Sequence, residues 1–247
     1  MESSLHISIS AEKVFVLFDK IPVTNSILTT WLVMVLLFIF SLLATHNLSL
    51  VPGYIQSIAE IIIEGLYRLY ETVIGDKIKT YFPLLATLFI FIIFLNWAGL
   101  LPGVGTIGID KIEDEHIEFI PLFRSGSADL NMTIALALIA FLVIQFTGIK
   151  NSGFTYFKKF LNFTSPINFF VGILELLSEF SKIISFAFRL FGNIFAGEVL
   201  LTVIAFLVPL IAPLPFLGLE LFVGFIQALV FSMLTAAFIS LAVAHEH

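Results

Sequence analysis

From Pro166 to about Val208 the chain offers a helix no stop stronger than isolated glycines such as Gly192 and Gly197, which a helix tolerates. At 1.5 Å per residue, some 42 residues make about 63 Å, twice the roughly 30 Å of hydrocarbon in a bilayer. Such a helix must tilt steeply, protrude or break, and steep tilt is expected, because a polar stripe follows its length and would otherwise face lipid. Near its centre, in SKIISFAFRLFGNIFAGE, stands Arg189, with no acid within five residues on either side. An arginine there costs at least a few kcal/mol. Packing does not account for it.

At 100° per residue, Glu175, Lys182, Arg189 and Asn193 fall within about 40° of one another, with Ser178, Glu179 and Ser185 beside them. Glu198 lies about 180° from Arg189 and addresses another environment. Glu179 and Lys182, three residues apart, suit a structural ion pair. Arg189 either pairs with a carboxylate elsewhere in its own chain and ties helices together, or serves a mobile carboxylate. It does not deprotonate, so it is a fixed charge and not a proton carrier.

The rest of the 247 residues has the same character: 59% are hydrophobic, 12% are charged, and the mean hydropathy is +1.08. No soluble core buries so much, and the chain reads as an all-α polytopic membrane protein. The net charge of −6, without a basic run, argues against a nucleic-acid partner. Zero cysteines exclude thiolate metal sites, and the five histidines (6, 46, 116, 245, 247) lie near segment ends where they cannot pair on a haem. No cofactor or metal is expected. The N-terminal stretch MESSLHISISAEKVFVLFDK does not read as a signal peptide.

Taken in order, Ile27–Ala44 is a first span. Pro52 to Ile74 carries Glu60, Glu64, Arg68 and Glu71 on one face and reads as an interfacial amphipathic helix, with Glu64 and Arg68 spaced for an exposed ion pair. Tyr81–Leu101 is a second span, with Trp97 as an interfacial anchor and Pro102–Gly103 as its stop. The acidic, glycine-rich stretch to Ser127 is expected to be an exposed loop. Asp129 and Asn131 open a third span to Gly148, with Asp129 either an N-cap or an ion-access group. Ser165–Pro166 starts the long helix. The turn VPLIAPLP then leads to a final helix from about Phe216 to Ala244, with Glu220, Gly224, Gln227 and Thr235 on one side.

This makes about five crossings plus the amphipathic helix, the last two crossings forming a long, steeply tilted antiparallel hairpin. The organisation is one membrane unit over 1–247: a segment at 1–26, peripheral helices over 27–149 and an ion-path hairpin over 166–247. Arg68, Lys77 and Lys79 lie in one connection and Lys150, Lys158 and Lys159 in another. Lys13, Lys20, Lys111 and Arg124 lie on the opposite side among many acids. This bias puts the N-terminus outside and the C-terminus in the cytoplasm.

Glu198 and Glu220 can take and give a proton, and Gln227 can bind a water chain without titrating. Glu220, just past the proline turn, can equally be an interfacial glutamate facing headgroups. RLFGN (189–193) with Glu198 five residues beyond its asparagine, Gln227, the ending AHEH, SADLNMTIALAL (127–138), NWAGLLPG (96–103), and Glu175 and Lys182 upstream together resemble subunit a of the F-type ATP synthases over nearly the whole chain. The resemblance implies a stator in a bacterial inner membrane, offering two aqueous half-channels to a rotating ring of c subunits and held by peripheral-stalk b subunits. It also implies Arg189 as the essential arginine facing the ring carboxylate, with Asn193, Glu198, Glu220 and Gln227 along the path of an ion expected to be a proton. Some members of that family carry histidine where this chain has Glu220, which leaves open which of the two acids titrates. The chain has no GxxxxGK[ST] loop, in keeping with ATP chemistry residing in other subunits. A stand-alone secondary ion transporter is the alternative: it would move ions by itself, whereas a stator would be inert without its ring.

Overall fold

The computed structural model describes residues 8–17, 21–113, 116–153, 156, 160, 165–208 and 211–244. His6, Lys20, Asp114, Glu115, Lys158, Lys159, Pro209, His245 and His247, on which parts of the sequence reading rest, lie outside the described residues.

Among the described residues there are six long helices: α1 (Asn25–Thr45), α2 (Tyr54–Ile74), α3 (Ile78–Ala98), α4 (Leu130–Ser152), α5 (Pro166–Leu207) and α6 (Pro213–Ala244). Their starts follow from local chemistry. The side chains of Thr24, Asp129 and Ser165 accept from the backbone N–H groups of Ile27, Asn131 and Asn168, which satisfies donors a first turn leaves open. α6 begins at Pro213, three residues earlier than expected, because prolines in a first turn sacrifice no helical hydrogen bond. α5 is a single unbroken helix of 42 residues. Among the described residues, five helical stretches are long and apolar enough to cross a membrane, with α2 and α3 counted as one.

α3, α4, α6 and the middle of α5 form the core. Alanines at 137, 140, 187, 228 and 236 are buried between them and let the backbones approach, as packing within a bilayer favours. The ring of Phe186 on α5 lies 5.0 Å from that of Phe231 and 5.9 Å from that of Phe238 on α6, while Gly197 abuts Glu220. Contacts that run in opposite directions along the two chains make α5 and α6 an antiparallel hairpin. Tyr70, fully buried on α2, donates from its hydroxyl to Ser232 Oγ at 2.7 Å and fastens the amphipathic helix to α6. Arg68 and Glu64 form their ion pair in the open. α1 is peripheral and shows Phe38, Leu42 and Leu43 on its surface.

One expectation is corrected. The acidic stretch after α3 is not simply an exposed loop: Gly108–Glu113 (β3) and His116–Pro121 (β4) pair as an antiparallel hairpin, and residues 124–129 are buried. A second hairpin, Lys13–Leu17 (β1) with Ile21–Thr24 (β2), precedes α1. The indole N–H of Trp97 donates to the Leu221 carbonyl of α6 at 3.0 Å.

Candidate functional site

The buried segment Arg124–Asp129 determines the geometry at one end of the bundle. Its small residues Ser125, Gly126, Ser127 and Ala128 let the backbone thread between α1 and α3. A β-carbon on Gly126 would come within 2.7 Å of both Leu95 Cδ2 and Thr30 Oγ1, so the closest approach needs glycine. Hydroxyls on either side hold the thread: Ser125 Oγ donates to the Leu95 carbonyl at 3.0 Å, Ser26 Oγ to Asp129 Oδ2 at 2.6 Å, and Thr29 Oγ1 accepts from the Arg124 backbone N–H at 3.1 Å. Asp129 is thus committed as a cap, with its Oδ1 taking the N–H of Asn131, whose side chain is exposed.

This thread delivers the Arg124 side chain, 5% exposed as a residue, to α5. Its Nε donates to Glu198 Oε1 at 3.0 Å and Oε2 at 3.1 Å. Glu198, Glu220, Asn96, Thr202 and Arg124 line one cavity of about 340 Å³ between α3, α5, α6 and the thread. Glu220 is buried rather than facing headgroups, its carboxyl lying against the backbone of Gly197. Asn96 donates from Nδ2 to the Gly224 carbonyl at 2.8 Å, whereas its buried Oδ1 has no partner among the described residues. Gln227 is half-buried on α6, two turns beyond Glu220.

Arg189 lies on the other side of α5, exposed, with Nη2 donating to Ser185 Oγ one turn back at 3.2 Å. Asn193 Nδ2 donates to the Arg189 carbonyl at 2.9 Å and shares the exposed face. Among the described residues no carboxylate pairs with Arg189. The cavity acids and the arginine are therefore on opposite sides of one helix, as the half-turn offset of Glu198 requires.

Towards the start of α5 there is a separate polar group. Buried Glu179 accepts from Lys182 Nζ at 2.7 Å and from Gln145 Nε2 at 2.8 Å, and the ammonium also lies 4.6 Å from the centre of the Phe238 ring. Gln145 Oε1 in turn accepts from the Tyr156 hydroxyl at 2.7 Å. Burial, and then the charges of Glu179 and Glu175, push that hydroxyl up to about 12, so it remains a neutral donor. Glu179 and Lys182 form the structural pair their spacing implies. Glu175 is half-buried one turn nearer the start of the helix.

Sequence reading missed Arg124 as a partner of Glu198 and Asn96 as a cavity residue. The available signal was a single arginine followed by small residues immediately before a capping aspartate, in a stretch otherwise acidic.

Residues 27–240 match the family model described as ATP synthase A chain. Among curated proteins, an ATP synthase subunit a of Geotalea uraniireducens is 37% identical over 226 residues, covering 90% of this chain and 89% of the relative. One from Gloeobacter violaceus is 38% identical over 220 residues, covering 89% and 83%. A third, from Geobacter sulfurreducens, is 36% identical over 226 residues, covering 90% and 89%.

Proposed function

The chain belongs to the ATP synthase A chain family, and from that premise we propose that it acts as the ion-translocating stator of an F-type ATP synthase, with Arg189 facing the carboxylates of a rotating c-subunit ring. It is a multi-pass membrane component of the complex and not itself the catalyst of ATP formation. One observation carries the reading: an exposed arginine without a carboxylate partner among the described residues stands on one side of α5, and two acids line a cavity on the other.

Each element has a physical task. The cavity with Glu198, Glu220 and Asn96 is one aqueous half-channel, and Gln227 extends its polar lining along α6. A ring carboxylate stripped of its proton is an expensive isolated charge in lipid, and a guanidinium beside it lowers that cost until the carboxylate reaches the next half-channel. Asn193 braces the backbone beneath that arginine. The second half-channel opens on the exposed stripe towards the start of α5, where Glu175 lies. α5, too long to stand upright, crosses the bilayer steeply tilted, with its exposed apolar face against lipid and the ring. The coupling ion is a proton, the membrane is the inner membrane of a bacterium, the N-terminus is outside, and the peripheral-stalk b subunits hold the stator still. Within the single membrane unit, residues 166–247 form the ion-path hairpin; of 27–149, expected to be peripheral helices, α1 lies at the edge, whereas α3 and α4 pack in the core and Asn96 of α3 lines the cavity.

Reconstitution separates this reading from a stand-alone transporter. The purified chain in liposomes under an imposed potential should pass neither H⁺ nor Na⁺, whereas the chain assembled with its ring and the catalytic sector should pump when given ATP. Ion flux through the isolated chain would reject the stator reading.

A further inference from the structure

Arg124 joins three parts of the molecule. Its Nε is shared between the two Glu198 oxygens, at 3.0 and 3.1 Å, its Nη1 donates to the Ser10 carbonyl at 3.0 Å, and its Nη2 donates to the Ser8 carbonyl at 2.9 Å. The guanidinium carbon also lies 5.8 Å from the centre of the Phe195 ring. Two backbone carbonyls and the buried thread that carries it hold the fork in place, so it cannot follow a moving acid. Glu198 is bound through a single N–H, its side chain is 36% exposed, and it lines the cavity. A carboxylate beside a fixed cation and open to a cavity can exchange a proton without rearranging its neighbours.

We propose that Arg124 is a positioning residue for Glu198 in the ion path, and that the same guanidinium clamps the N-terminal segment at Ser8 and Ser10 to the cavity wall. The inference rests on the reading of Glu198 as an ion-path group. The two tasks need different properties. Charge holds Glu198, whereas the planar fork is needed to reach Glu198 and both carbonyls at once, which the compact ammonium of a lysine cannot do.

The test uses the whole complex, with ATP-driven pumping in everted vesicles normalised to assembled subunit content, and hydrogen–deuterium exchange over residues 8–17 in the purified complex. Arg124→Gln should lower pumping per assembled complex by roughly tenfold, in line with the loss of a hydrogen bond between charged groups. Arg124→Lys should retain at least about a third of it, because the charge remains. Both should speed exchange in the N-terminal segment. Pumping in Arg124→Gln within about twofold of the unaltered complex, a lysine variant as poor as the glutamine one, or unchanged exchange in both would overturn the proposal, since each removes an effect that loss of the charged contact must produce. If Arg124→Gln does not assemble, Arg124→Lys decides alone: faster exchange with retained pumping supports the proposal, and normal exchange or abolished pumping overturns it. Glu198→Gln, measured in parallel, checks the underlying reading separately. Normal pumping there removes Glu198 from the ion path, whereas normal pumping in Arg124→Gln beside a defective Glu198→Gln rejects only the role of Arg124.

Discussion

The carboxyl group of Glu220 occupies the space in which a β-carbon of residue 197 would stand, so glycine on α5 and glutamate on α6 fit each other as a pair. Gly197→Ala should push the carboxyl out of place at an overpacking cost of about 1–3 kcal/mol. ATP-driven pumping per assembled complex should fall, and Gly197→Ala combined with Glu220→Asp, one methylene shorter, should recover part of it. Full pumping in Gly197→Ala alone would mean that the position of Glu220 does not matter to transport.

Because Glu198 and Glu220 line the same cavity, their substitutions should not behave independently. Glu198→Gln and Glu220→Gln should each slow pumping, and the double variant should depart from the product of the two effects by a coupling of about 0.5–3 kcal/mol. Pumping rates of the four complexes complete the cycle. If each single variant and the double variant pump normally, neither acid belongs to the path.

Glu179 and Lys182 call for a different outcome. Lys182→Met removes the ammonium that pairs with the buried Glu179 carboxylate, which should cost about 2 kcal/mol or more in stability. Thermal denaturation of the purified complex should show the loss, and adding Glu179→Gln should restore most of it. A complex in which Lys182→Met blocks pumping without any loss of stability would give the pair a transport role instead.

The topology can be tested with an impermeant thiol reagent on single cysteines at Ser4, Ser152 and His247. Ser4 should react from outside, and Ser152 and His247 from the cytoplasm. Labelling of all three from one side would reject the arrangement.

Much of this was legible in the sequence because a bilayer enforces simple rules. The length of α5, its start at Ser165–Pro166, the cap at Asp129, the Glu179–Lys182 and Glu64–Arg68 pairs and the half-turn between Arg189 and Glu198 all follow from helical periodicity and spacing. What could not be read depends on contacts between residues far apart in the chain. Arg124 looked like one more loop charge, because nothing local says that Gly126 lets the backbone pass between Leu95 and Thr30 and so brings a guanidinium to residue 198. Glu220 is buried for the same reason: its place depends on the absence of a side chain at 197, on another helix. The strand pair at 108–121 was hidden by composition, since a glycine-rich acidic stretch carries the marks of a loop whether or not its strands pair.

The most direct test concerns Arg189, which is exposed on α5 with Ser185 Oγ as its side-chain contact. Its fixed charge has two separable tasks: holding a ring carboxylate ionised, and keeping ions from passing directly between half-channels across which each charge releases about 2.3 kcal/mol per 100 mV. In vesicles carrying a complex of verified subunit content, Arg189→Ala should abolish ATP synthesis and ATP-driven pumping while permitting passive ion flow through the membrane sector, and Arg189→Lys should restore little of either activity. An assembled Arg189→Ala complex that makes ATP at the normal rate would contradict the account.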